Sequence, residues 1–92
     1  MKVNLVAMGN LEKELGSKLF TFDLAPGSRL ADLMKKIGDE LAGRIPPVLW
    51  NQDECRFRGP VVMMTNGKAL RNPAESLREG QEILVFNVLV GG

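Results

Sequence analysis

The sequence predicts an α+β fold in which one main helix packs across one face of a mixed sheet. Three observations predict it. Residues 2–8 and 17–24 show period-two apolar patterns, residues 28–43 switch to helical spacing, and the chain then returns to strand-like runs as far as residue 88. Ninety-two residues suffice for one compact domain, read here as residues 1–92.

In the first run, "KVNLVAM", Val3, Leu5 and Ala7 share one face; in the second, "SKLFTFDL", Phe20, Phe22 and Leu24 do. The connection "GNLEKELG" is longer than a tight turn, and Leu11 and Leu15 can add a helical turn of their own. In "APGSRLADLMKKIGDELAG", Leu30, Leu33, Met34, Ile37 and Leu41 fall on one helical stripe, with the charged residues largely elsewhere. Ser28 is placed to accept a hydrogen bond from a first-turn amide. Gly38 inside the helix costs about 1 kcal/mol relative to Ala and marks a point where the helix can fray or end. Residues 44–60, "RIPPVLWNQDECRFRGP", break the pattern and are expected to form a loop insertion carrying Leu49, Trp50 and Phe57. "VVMMTNGKAL" predicts a strand, an Asn66-Gly67 turn and a short return strand, and Glu79-Gly80 introduces the last strand, "QEILVFNV".

Composition narrows the function. The net charge of +1 supplies no field for nucleic acid or a membrane surface. There is no histidine, hence neither the commonest general base nor a Cys/His zinc site, so the chain is read as a non-enzyme that binds no metal or cofactor itself. A lone cysteine and an opening segment without a long apolar run fit a cytoplasmic protein. Cys55 has Arg56 and Arg58 nearby, which favour a thiolate, but without a histidine or a second cysteine it reads as incidental. The five methionines include Met63-Met64 in a strand and Met34 in the helix, and core filling accounts for most of them without a copper site.

The final strand carries apolar residues on both faces: Ile83 and Val85 on one, Leu84, Phe86 and Val88 on the other. With the helix on the first face, the second exposes a contact patch that Val6 and Met8 extend, unless residues 44–60 fold over it and bury it as a second small core. Beyond the strand, Leu89, Val90, Gly91 and Gly92 form an expected flexible tail at about 89–92. Two glycines without side chains let a narrow channel close around their backbone while the carboxylate of Gly92 reaches the far end.

A strand-strand-helix-strand order whose last strand delivers two glycines resembles the ubiquitin-like β-grasp family. The stretch "LREGQEILVFNVLVGG" is especially similar to the small sulfur carriers of thiamin and molybdopterin synthesis, the ThiS- and MoaD-like proteins. The helix entry "PGSRLADLMKKI" and the strand-turn-strand "VMMTNGKAL" also match that family; the insertion at 44–60 and Val90, where the family often has Ala, depart from it. The resemblance implies that Gly92 supplies the carboxylate and that Gly91 threads the channel of an E1-like adenylating enzyme, at which ATP and magnesium act. It implies further that a persulfide or desulfurase-type donor supplies sulfur to form a thiocarboxylate, and that a sulfur-acceptor synthase subunit uses it. Leu84, Phe86, Val88, Leu89, Val90, Val6 and Met8 are then the partner-binding residues. Two alternatives remain open: a protein modifier that joins Gly92 to lysines as an isopeptide, and a noncovalent adaptor that works through its apolar sheet face.

Overall fold

The computed structural model describes residues 1–41 and 43–88. Strands β1 (Lys2–Ala7) and β2 (Leu19–Asp23) pair antiparallel, with Val3 opposite Phe22 and Leu5 opposite Phe20. Their connection contains helix α1 (Asn10–Leu15), whose Leu11 and Leu15 are buried because four-residue spacing puts both on the inner side of so short a helix. Gly16 ends it at φ 81°, a left-handed conformation that costs glycine little, with its N–H donating to the Glu12 carbonyl at 3.0 Å.

Helix α2 (Leu30–Leu41) buries Leu30, Leu33, Met34, Ile37 and Leu41, the predicted stripe. Its N-terminus is satisfied differently from the expectation. The Ser28 hydroxyl donates to the Ala25 carbonyl at 2.7 Å, while the Asp32 carboxylate accepts the Arg29 N–H at 2.8 Å, the reach-back half of a capping box. The Leu30 and Ala31 amides donate to the Glu75 and Pro73 carbonyls at 2.9 Å each, so the long final loop holds the helix entry.

The insertion forms a two-stranded hairpin, β3 (Trp50–Asn51) with β4 (Arg56–Phe57). It does not cover the far side of the sheet. Ile45, Leu49 and Trp50 join the buried core on the helix side, and Trp50 meets Phe57 edge to face at 4.9 Å between ring centroids. Gly38 lies under this hairpin: a β-carbon there would stand 3.4 Å from the Trp50 ring and 3.5 Å from the Cys55 sulfur. The helix runs on past Gly38 to Leu41, and the indole rests against the glycine.

Strand β5 (Val61–Thr65) turns through Asn66 at φ 53° and Gly67 at φ 75° into β6 (Lys68–Ala69), the two successive positive φ values of a tight hairpin turn. The chain returns as β7 (Glu82–Asn87), which lies in the middle of the sheet, parallel to β1 and antiparallel to β5, in the order β2-β1-β7-β5-β6. Val3, Leu5, Ala7, Phe22, Ile83 and Val85 cover the side facing α2 and are buried. Among the described residues, no helix is long and apolar enough to cross a membrane.

Candidate functional site

The other side of the sheet carries the candidate site. Because residues directly opposite in a ladder share a face, the pairings Val6–Leu84, Met64–Leu84, Val62–Phe86 and Val6–Leu19 bring six apolar side chains together there. Leu84, Phe86, Val6, Val62 and Met64 are half-buried, each sheltered by its neighbours, and Leu19 is exposed. No described segment lies on them as a second layer, since the insertion packs on the helix side.

The face is graded along the strands. At the end where β7 begins it is polar, with Asn4 beside Glu82 and Thr21, Lys2 beside Asp23, and the Thr21 hydroxyl donating to the Asn4 side-chain oxygen at 2.8 Å. At the end where β7 finishes it is apolar, and the strand leaves it at Val88, which is 46% exposed and whose N–H donates to the Pro60 carbonyl at 2.8 Å. Met8, 40% exposed, follows directly on β1. Leu89, Val90, Gly91 and Gly92 lie outside the described residues.

Of the predicted contact residues, the structure thus brings Leu84, Phe86 and Val6 together and sets Val88 and Met8 at the ends of the two central strands. Leu19, Val62 and Met64 belong to the same face and were not predicted. Strand alternation sends Met63 toward α2 and Met64 to the open side. Cys55 lies elsewhere, in the insertion against Gly38, half-buried and 3.6 Å from the Gln52 carbonyl. Among the described residues no group of three or more His, Cys, Asp or Glu side chains could hold a metal ion.

Chemically, such a face offers a nonpolar docking surface beside the end of β7. Burying apolar area of this kind contributes about 25 cal/mol per Å², so a partner seated on it can hold the strand end in one position.

No protein-family model matches the chain, and no curated protein sequence does. Solved structures do. The crystal structure of SAMP1 from Haloferax volcanii superposes with a TM-score of 0.74 at 20% identity, over 100% of both chains. The solution structure of small archaeal modifier protein 1 from Methanosarcina acetivorans gives 0.71 at 18% identity, over 99% of this chain and 96% of that one. The Pyrococcus furiosus protein assigned as molybdopterin converting factor, subunit 1, gives 0.69 at 20% identity, over 95% and 97%. The chain has the β-grasp fold of these proteins, the fold its sequence predicts.

Proposed function

We propose that this β-grasp chain is a sulfur-carrier protein, a substrate and subunit of partner enzymes in cofactor biosynthesis of the molybdopterin or thiamin type. The observation that carries the reading is the apolar end of the open sheet face, Leu84, Phe86, Val62 and Met64, set beside the strand end that leads to Gly91 and Gly92. A partner docked on that face receives the tail at a fixed distance from its own catalytic centre.

In this reading the Gly92 carboxylate attacks the α-phosphorus of ATP at the magnesium site of an E1-like adenylating enzyme, forming an acyl adenylate and releasing pyrophosphate. The terminal sulfur of a donor persulfide then attacks the acyl carbon and expels AMP. A second thiol breaks the resulting sulfur–sulfur bond, forming a disulfide with the donor cysteine and releasing the thiocarboxylate. The synthase subunit takes the sulfur from there. ATP and magnesium belong to the activating enzyme; this chain contributes the docking face and the reactive end.

A second reading, a modifier that joins Gly92 to lysine amines, is favoured by the two structural neighbours named as archaeal modifier proteins. Both readings use the same acyl adenylate and differ in the nucleophile that consumes it. Incubation with the activating enzyme, MgATP and a persulfide donor should replace one oxygen by sulfur in the intact protein mass, and deletion of Gly92 should abolish it. If the modifier reading holds, tryptic digests of cell protein contain lysines bearing a branch that begins at Glu79, because Arg78 is the last basic residue. Loss of Gly91 and Gly92 without functional effect, with Phe86→Asp inactivating, would leave only a noncovalent adaptor.

A further inference from the structure

At one side of the five-stranded sheet the chain's own β6 and Leu70 close the ladder of β5; at the other, β2 is the last strand and no described segment pairs with its outer side. We infer that β2 pairs with β2 of a second copy of this chain, antiparallel about a two-fold axis at Phe20, joining the two sheets edge to edge.

The ladder pattern carries the inference. In an antiparallel pair, successive residues send their backbone groups to opposite sides of the strand. The Ala7 N–H donates to the Lys18 carbonyl at 2.7 Å and the Leu24 N–H to the Met1 carbonyl at 2.8 Å, so Lys18, Phe20, Phe22 and Leu24 face β1. Leu19, Thr21 and Asp23 therefore turn theirs outward. The Leu19 carbonyl accepts the Ser17 hydroxyl at 3.2 Å and keeps a second lone pair; among the described residues no other hydrogen bond reaches these outward groups. Lys18 and Asp23 flank the strand, but its centre, Leu19 to Phe22, carries no charge, proline or bulge to blunt the edge. Such an edge is a template for another strand.

The strand's own sequence fits it. Two registers bring outward-facing residues of two antiparallel copies together at the strand centre. With Thr21 opposite itself, the Asp23 carboxylate stands against the Leu19 side chain of the second copy. With Phe20 opposite itself, Leu19 lies opposite Thr21 of the second copy and Thr21 opposite its Leu19, and each pair exchanges both backbone hydrogen bonds. The two Phe20 residues between them form the closely spaced kind of pair, with Cα atoms about 4.5 Å apart. Phe20 is half-buried at the sheet edge on the helix side, so each ring covers the other. On the open side Leu19, 54% exposed, gains the Thr21 methyl group of the second copy. Lys18 comes opposite Phe22, and no charge meets its like. The contact is the same patch on both copies and closes as a dimer. So short a ladder buries less than the roughly 800 Å² per partner of a standard interface, so association is expected at about 1 mM and lost at about 20 μM.

Sedimentation equilibrium of the full chain across that range, with amide exchange followed by NMR, tests the pairing. The Leu19 and Thr21 amides should exchange about tenfold more slowly at the high concentration than at the low one. Thr21→Pro removes an outward N–H at an edge position, where proline is tolerated, and should weaken association about tenfold with the circular dichroism spectrum retained. Thr21→Val keeps that N–H, loses only the hydroxyl bond to Asn4, and should leave association unchanged. In a Cys55→Ser background, Phe20→Cys should cross-link on mild oxidation faster than Thr21→Cys, because its Cα spacing across the axis lies within disulfide range. If Thr21→Pro fails to fold, exchange and cross-linking decide by themselves. The inference is overturned if the chain stays monomeric at about 1 mM with both amides unchanged, or if association survives Thr21→Pro in a folded chain. Faster cross-linking of Thr21→Cys would overturn the Phe20 register. Signals of Leu84 and Phe86 shifting on dilution, with those of β2 constant, would make the dimer face to face and overturn the edge assignment. None of these measurements uses the activating enzyme or ATP, so this inference and sulfur loading of Gly92 fail separately.

Discussion

Gly38 and Trp50 show how one position can serve two elements at once. The helix would gain from alanine in place of glycine at 38, yet the indole of the insertion rests against that point, and the available space is about one methyl group, at 3.4 Å from the ring. Gly38→Ala is therefore expected to stabilise the protein by up to about 1 kcal/mol, because the methyl group meets the ring at ordinary contact distance while helix propensity improves. Gly38→Val overfills the site and should destabilise by about 1–3 kcal/mol. Urea titrations followed by the fluorescence of Trp50, the only tryptophan, separate the two; a destabilised Ala variant would mean that the hairpin sits closer to the helix than 3.4 Å implies. Trp50→Ala removes an aromatic residue that is 4% exposed and should cost about 3–5 kcal/mol, a large share of the roughly 5–14 kcal/mol available to a chain of this length. Circular dichroism melts measure that loss.

At the scale of elements, β7 supplies the centre of the sheet and, through Leu84 and Phe86, the middle of the contact face, and its two sides respond to substitution in opposite ways. Phe86→Asp alters a half-buried side chain on the open face, so the folded state survives with a loss of about 1–2 kcal/mol, while affinity for an activating enzyme falls at least tenfold. Val85→Asp buries a charge among fully enclosed side chains and should abolish folding. A pull-down of the activating enzyme together with a circular dichroism spectrum tells the two apart. The alternation that makes this prediction possible was legible in "EILVFN", as was the α2 stripe. The parity of "VVMM" was not, since four apolar residues in succession leave either face open, and Val62 and Met64 were placed only by their register with Phe86 and Leu84. The helix cap was not legible for a related reason: Ser28 just before the helix and Asp32 in its first turn can both meet an entry amide, and only the direction of the Arg29 N–H chooses between them.

Across the whole molecule, the insertion decides how many surfaces the protein has. Its sequence has the proline, charge and lack of period of a surface loop, and only three-dimensional contact reveals that Ile45, Leu49 and Trp50 complete the core against α2. Had it covered the open side of the sheet, the face beside the chain end would be closed. Packed on the helix side, it leaves that face free. The insertion is then a structural part of the fold. Because the residues it contributes are continuous with the core formed by β1, β7 and α2, the hairpin and the sheet should unfold together. Thermal denaturation followed by Trp50 fluorescence, which reports the insertion, and by far-ultraviolet circular dichroism, which reports the helices and sheet, is expected to give coincident transitions. An earlier fluorescence transition would mean that residues 44–60 detach from a sheet that stands without them; the insertion would then be a dispensable cover. With coincident transitions, shortening 44–60 to a simple loop should unfold the chain, whereas Phe86→Asp removes the open face alone and leaves the fold in place.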